Sequence, residues 1–135
     1  AAMTRFEIMM PVLEAERSKP YVYGESDCFF LGCQMADAFD YTRKMTATYW
    51  GSYKTLAGAQ KALLKRGHKS LTTFFASHLE QIAPATAQIG DIVVILVDGG
   101  EHVGVCLGAS GRFETKTAAG PAYFRVTDCI AAFRT

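Results

Sequence analysis

The chain has 135 residues, enough for one domain with a proper core and no covalent staples. Half are hydrophobic and a fifth are charged, which excludes disorder and fibrous repeats. Fourteen basic residues stand against thirteen acidic ones, a formal charge of +1 with no run of one sign. That leaves no electrostatic footprint for nucleic acid, which needs a clustered basic face.

The longest apolar run, Ile92 to Val97, has strand length. It falls far short of the ~20 residues that span a bilayer, so membrane insertion is not expected. No basic region followed by an apolar segment stands near the N-terminus, so no secretory signal is expected. Cys28, Cys33, Cys106 and Cys129 are irregularly spaced and are expected to be free thiols.

Phe6, Met9, Met10 and Leu13 recur at helical spacing, and Pro20 marks the end of that segment. After a loop over residues 21–27, a second helix is expected from about Asp27 to about Asp40, capped by Ser26 or Asp27. It is apolar nearly all round and is therefore the buried, central helix. Residues 41–52 read as an aromatic loop. Ala57 to Lys65 is amphipathic and stops at Gly67, and Leu71 to Leu79 reads as a short further helix. Pro84 closes the helical half.

The second half is strand-like. Asp91 to Val97 is a β-branched run followed by Asp98-Gly99-Gly100 turn chemistry. His102 to Leu107, Arg112 to Thr117 and Tyr123 to Val126 follow as further strands, with a turn at Ala109-Ser110-Gly111. Helices followed by an antiparallel meander predict a single α+β domain over residues 1–135.

Cys28 falls in the first turn of the buried helix, where free N–H groups and the helix dipole favour a thiolate nucleophile. His102 opens a strand after a Gly-Gly turn, on one face with Gly104 and Cys106. A cysteine at a helix start packed on a strand histidine is the general form of a Cys–His nucleophilic pair. His68 and His78 lie in polar stretches and read as surface residues. Cys33 points away from Cys28 into the core. Cys106 lies ~13 Å along the strand from His102 and reads as a small core residue. Cys129 carries no signal. With neither CxxC nor HxxxH spacing, no metal site is expected.

Four segments in order carry a resemblance: Pro20-Tyr21-Val22-Tyr23-Gly24, Asp27-Cys28, Gly90-Asp91-Ile92-Val93-Val94, and His102-Val103-Gly104-Val105-Cys106-Leu107-Gly108. The chain resembles the NlpC-like cell-wall peptidases, papain-like cysteine hydrolases, from about Pro20 to about Thr117, and among them the compact members of phage and prophage tail clusters. The resemblance implies a papain-like α+β fold with N-terminal helices on the meander, and no cofactor. It implies Cys28 as nucleophile and His102 as general base. Tyr21 would lie beside the nucleophile, and the backbone N–H of Cys28 would serve the oxyanion. Tyr23 takes the aromatic position usually held by Trp and would border the substrate with Tyr21, and Asp91 would be structural.

The family's third polar residue is replaced. Alignment on Phe113 puts Thr115 there, and a two- or four-residue turn also gives Thr115 the face of His102, whereas a three-residue turn gives Glu114. The implied substrate is the peptide stem of peptidoglycan, cut at a D-glutamyl bond to the diamino acid. Such a substrate lies outside the cytoplasm, so delivery to the wall by a particle or by lysis is expected. The weak third member supports a second expectation, a catalytically weak or inactive module that binds assembly proteins of a phage tail or secretion device. Deamidation or acyl transfer by the same pair is a third.

Overall fold

A computed structural model describes residues 2–108 and 111–135. Helix α1 spans Arg5–Arg17, α2 Cys28–Phe39, α3 Met45–Tyr49, α4 Leu56–Lys65 and α5 Leu71–Ala76. Strands β1 Glu80–Ile82, β2 Ile92–Val97, β3 Gly100–Cys106, β4 Arg112–Thr117, β5 Gly120–Arg125 and β6 Cys129–Arg134 form one antiparallel sheet, in the order β1-β6-β2-β3-β4-β5. The protein is α+β, with helices packed on a six-stranded antiparallel sheet.

The expected meander is β2 to β5. Two strands went unread in the sequence. β6 returns past the meander to pair with the free edge of β2, and three-residue β1 pairs with β6. β1 is too short for a periodicity, and β6 follows its neighbour after a single 3-10 turn at Val126–Asp128. Residues 41–52 hold the five-residue helix α3 where a loop is expected. Asp37 on α2 makes it: its two carboxylate oxygens accept from the N–H groups of Met45 and Thr46, each at 2.9 Å. Phe6, expected in the apolar stripe of α1, stands exposed, while Met9 and Leu13 are buried.

α2 is buried as its composition predicts. Gly32 lets it lie close on β3, because a Cβ there would come within 2.7 Å of Val103 Cγ1. One sheet face, carrying Ile92, Val94, Val103, Val105 and Phe133, packs under α1, α2 and α5. On the other, Val93, Ile95, Cys106, Phe113 and Ala132 form a second cluster. With both faces covered, β2 is a continuous apolar run rather than an alternating one.

Asp91 ties the termini to the sheet. Its side chain is fully buried and accepts from Arg5 Nη2 (3.0 Å), Arg134 Nε (2.9 Å), and the N–H groups of Gln88 (2.8 Å) and Thr135 (3.0 Å). This structural role is the one expected for it. Asp91→Ala leaves these donors without their acceptor, at a cost of about 3 kcal/mol. Thermal unfolding followed by circular dichroism should show Tm lower by roughly 10 °C.

Candidate active site

The loop ahead of α2 is closed by a small ladder, with Val22 and Ser26 exchanging backbone bonds of 3.0 and 2.8 Å. Asp27 then caps the helix. One carboxylate oxygen accepts from the Phe30 N–H at 2.9 Å. The other accepts from the Gly24 N–H at 3.0 Å and the Tyr53 hydroxyl at 2.6 Å. Of the two caps offered by the sequence, Asp27 takes the position and Ser26 turns elsewhere. Gly24 is required here: its φ is +85°, and a Cβ would run into the Tyr53 carbonyl oxygen at 1.9 Å.

Capped in this way, α2 begins at Cys28, which is half-buried in the wall of a cleft of about 480 Å³. Phe29, Tyr53, Leu63 and Phe74 give the cleft its apolar sides, and Tyr21, Tyr23 and Gly100 border it. The Tyr21 hydroxyl accepts from the Cys28 N–H at a long 3.5 Å and stands near enough to the sulfur to favour its anionic form. Tyr23 packs edge-on against Tyr21, with ring centroids 5.2 Å apart. The expected placing of Tyr21 beside Cys28 and of Tyr23 at the cleft is therefore observed.

The Val103 backbone, one residue after His102, lies close enough to the sulfur to favour its anionic form. The nucleophile candidate therefore lies against the start of β3. Burial nevertheless pushes the Cys28 thiol above its ordinary pKa, with Asp27 adding to the rise, and Val103 and Tyr21 offset only part of it. The expected effect of the helix terminus, a ready thiolate, is outweighed by desolvation. Cys28 is therefore held as a neutral thiol.

His102 is half-buried and stands one residue from that contact. Val103 takes the α2 side of β3, so His102 leaves from the other side, opposite Ile95 in the register. Its Nε2 lies 3.8 Å from where a Cβ on Gly100 would stand. Among the described residues no hydrogen bond joins the Cys28 and His102 side chains.

The choice between Thr115 and Glu114 is decided by register. Gly104 pairs with Thr115 and Val105 with Glu114, so Thr115 has the face of His102. Of the turn that sets this register, Ala109 and Ser110 lie outside the described residues. The Thr115 hydroxyl donates to the Val103 carbonyl at 2.6 Å rather than to an imidazole. Glu114 faces α1 and takes both bonds of the Arg17 guanidinium, at 2.9 and 2.5 Å.

Cys33 and Cys106 are buried as expected, and Cys129 is half-buried at the start of β6. His78 is exposed and bonds the Tyr49 hydroxyl at 2.8 Å. His68, expected at the surface, is half-buried and lines the cleft. Three elements of the site escaped sequence reasoning: Tyr53, the Val103 backbone and Lys116, a buried lysine of β4. Tyr53 directly follows the aromatic loop of residues 41–52, but nothing in the sequence tied it to Asp27. Lys116 had one in the alternation that puts it on the buried side with Glu114.

A family model described as Domain of unknown function (DUF6950) matches residues 5–135. The chain belongs to that family. No curated protein and no solved structure matches it. In this DUF6950 domain the matched stretch contains every residue of the site just described.

Asp27→Asn keeps the shape but puts an amide where Oδ2 or Oδ1 accepts. Either orientation loses acceptance from a buried donor. The cost is about 2–3 kcal/mol, and thermal unfolding should show it as a Tm lowered by roughly 8 °C.

Proposed function

We propose that the protein is a papain-like cysteine hydrolase of the NlpC-like type, acting on peptide stems of bacterial peptidoglycan. The observation that carries the reading is the setting of Cys28. A lone thiol at the start of the buried helix faces a cleft, with a tyrosine hydroxyl and the backbone beside His102 against its sulfur. The resemblance in the four ordered segments supplies the substrate class.

In the proposed reaction His102 takes the Cys28 proton, once the start of β3 has turned its imidazole from the Ile95 side of the sheet to the α2 side. The sulfur attacks the amide carbonyl, forming a tetrahedral oxyanion. The Cys28 N–H and the Tyr21 hydroxyl already stand together and are the donors for that charge. His102 returns the proton to the leaving amine, and a thioester remains on Cys28. Water, deprotonated by His102, attacks the thioester and releases the carboxylic acid and the thiol. Thr115 acts one step removed, by holding the Val103 carbonyl and with it the strand edge that carries His102. No cofactor enters these steps.

A second reading has its own observation. The imidazole is unengaged by Cys28, the Thr115 proton goes to Val103, and the thiol is pushed toward its protonated form. Those features favour a non-catalytic module that binds assembly proteins of a phage tail or secretion device.

Mass spectrometry of sacculi separates the two. Wild-type protein should release stem fragments and Cys28→Ala none. Unchanged muropeptides with both proteins reject the hydrolase. The pH dependence of alkylation tests the pair directly. Burial raises the thiol, so without a base the iodoacetamide rate at Cys28 should climb only above the ordinary thiol range of about 8.5. With His102 accepting the proton, the midpoint moves down. Wild type should therefore label at lower pH than His102→Ala, and coincident profiles would show that the two groups do not interact.

A further inference from the structure

Tyr21 has a cavity on each side. One is the cleft with Cys28. The other, of about 260 Å³, lies between α1 and β4 and is walled by Leu13, Pro20 and Pro121 together with charged side chains. Two of its ion pairs are closed. Glu114 holds Arg17, and Glu16 holds Lys19 at 2.7 Å.

Lys116 is different. It is 7% exposed, and its Nζ donates to the Pro20 carbonyl at 3.5 Å and to the Ser26 hydroxyl at 2.5 Å, which in turn donates to Glu16 Oε1 at 3.1 Å. Among the described residues no carboxylate comes within 4.0 Å of it. A buried ammonium whose nearest carboxylate is reached only through a hydroxyl is under-compensated, and an anion directly beside it removes that cost.

We propose that this cavity is an anion subsite in which Lys116 receives a carboxylate borne on a short apolar group. The apolar walls leave room for an alanine-sized terminus beside the charge. The charges facing Lys116 are those of Glu16 on α1, Lys19 just beyond its end, and Asp27 at the cap of α2. Burial lowers the Lys116 pKa, Lys19 lowers it further, and Glu16 and Asp27 pull it back. A bound carboxylate raises it, which is the linkage expected of a site filled by an anion. The placing of the subsite rests on the reading of Cys28 as nucleophile. Tyr21 is a wall of both cavities, so a peptide with its scissile carbonyl at Cys28 extends across Tyr21 and sets its carboxylate on Lys116.

The test is calorimetric titration of the Cys28→Ala protein with acetyl-Ala-D-Ala and with its C-terminal amide. The free acid should bind about ten-fold tighter than the amide, and Lys116→Met should reduce the difference to about two-fold. Should Lys116→Met not fold, acetic anhydride labelling of the wild-type chain gives the same answer. The acid should protect Lys116 and the amide should not. Equal binding of the two peptides, no binding of either, or a preference that survives Lys116→Met overturns the inference. None of these measurements needs turnover. Acid-selective binding by a chain that leaves sacculi intact rejects the hydrolase and keeps the subsite, and cleavage without acid selectivity does the reverse.

Discussion

The Asp27 carboxylate holds this site together. It is nearly dry, and each of its bonds restrains a different piece of chain. The Phe30 N–H is an otherwise unpaired donor of the helix start, the Gly24 N–H belongs to the loop that carries Tyr21 and Tyr23, and the Tyr53 hydroxyl comes from beyond α3. A buried carboxylate cannot do without such donors, and the donors cannot be left dry without it. The mutual need fixes where α2 begins. Cys28 is the next residue, so its position follows from this contact rather than from any bond of its own.

The sheet presents the other half of the site by failing to pair. β3 and β4 are registered over Gly104, Val105 and Cys106. At Val103 the ladder ends; its carbonyl accepts from the Thr115 hydroxyl, and its backbone lies beside the Cys28 sulfur. Backbone groups freed in a buried place must find partners. Here the carbonyl finds a hydroxyl, and a thiol lies alongside, groups that sequence distance would never place together. Lys116, one residue further along β4, reaches the loop on the other side of Cys28 through Ser26 and Pro20. Two successive residues of β4 thus hold both flanks of the helix start.

The electrostatics of Cys28 result from two opposed effects. Position at a helix terminus favours the anion, and removal from water favours the neutral thiol. Desolvation wins because the sulfur lies under Tyr21 and against β3, with the Asp27 charge one residue away. A pocket so arranged keeps the group in its neutral form. It also explains why the location of a cysteine in a helix does not by itself set its reactivity.

The sequence by itself determined the class and order of the elements. Periods of 3.6 and 2, Pro20 and Pro84 as breaks, and the Asp27 cap are local facts, and α1, α2, α4, β2 and β4 appear within a few residues of where these put them. It also marked Cys28, Tyr21 and His102, because segment order and turn chemistry are written along the chain. Only the tertiary structure decided the rest. β6 gained its place from a strand far away in the chain, Ile92 pairing with Phe133 and Ile95 with Cys129, rather than from anything in its own pattern. The register of β4 chose Thr115 over Glu114, the bond to Tyr53 turned a loop tyrosine into part of the helix cap, and burial reversed the expected shift of the Cys28 thiol. The physical reason is common to all of these. Desolvation and cross-strand pairing depend on which distant segments arrive at a residue, and no local spacing encodes that.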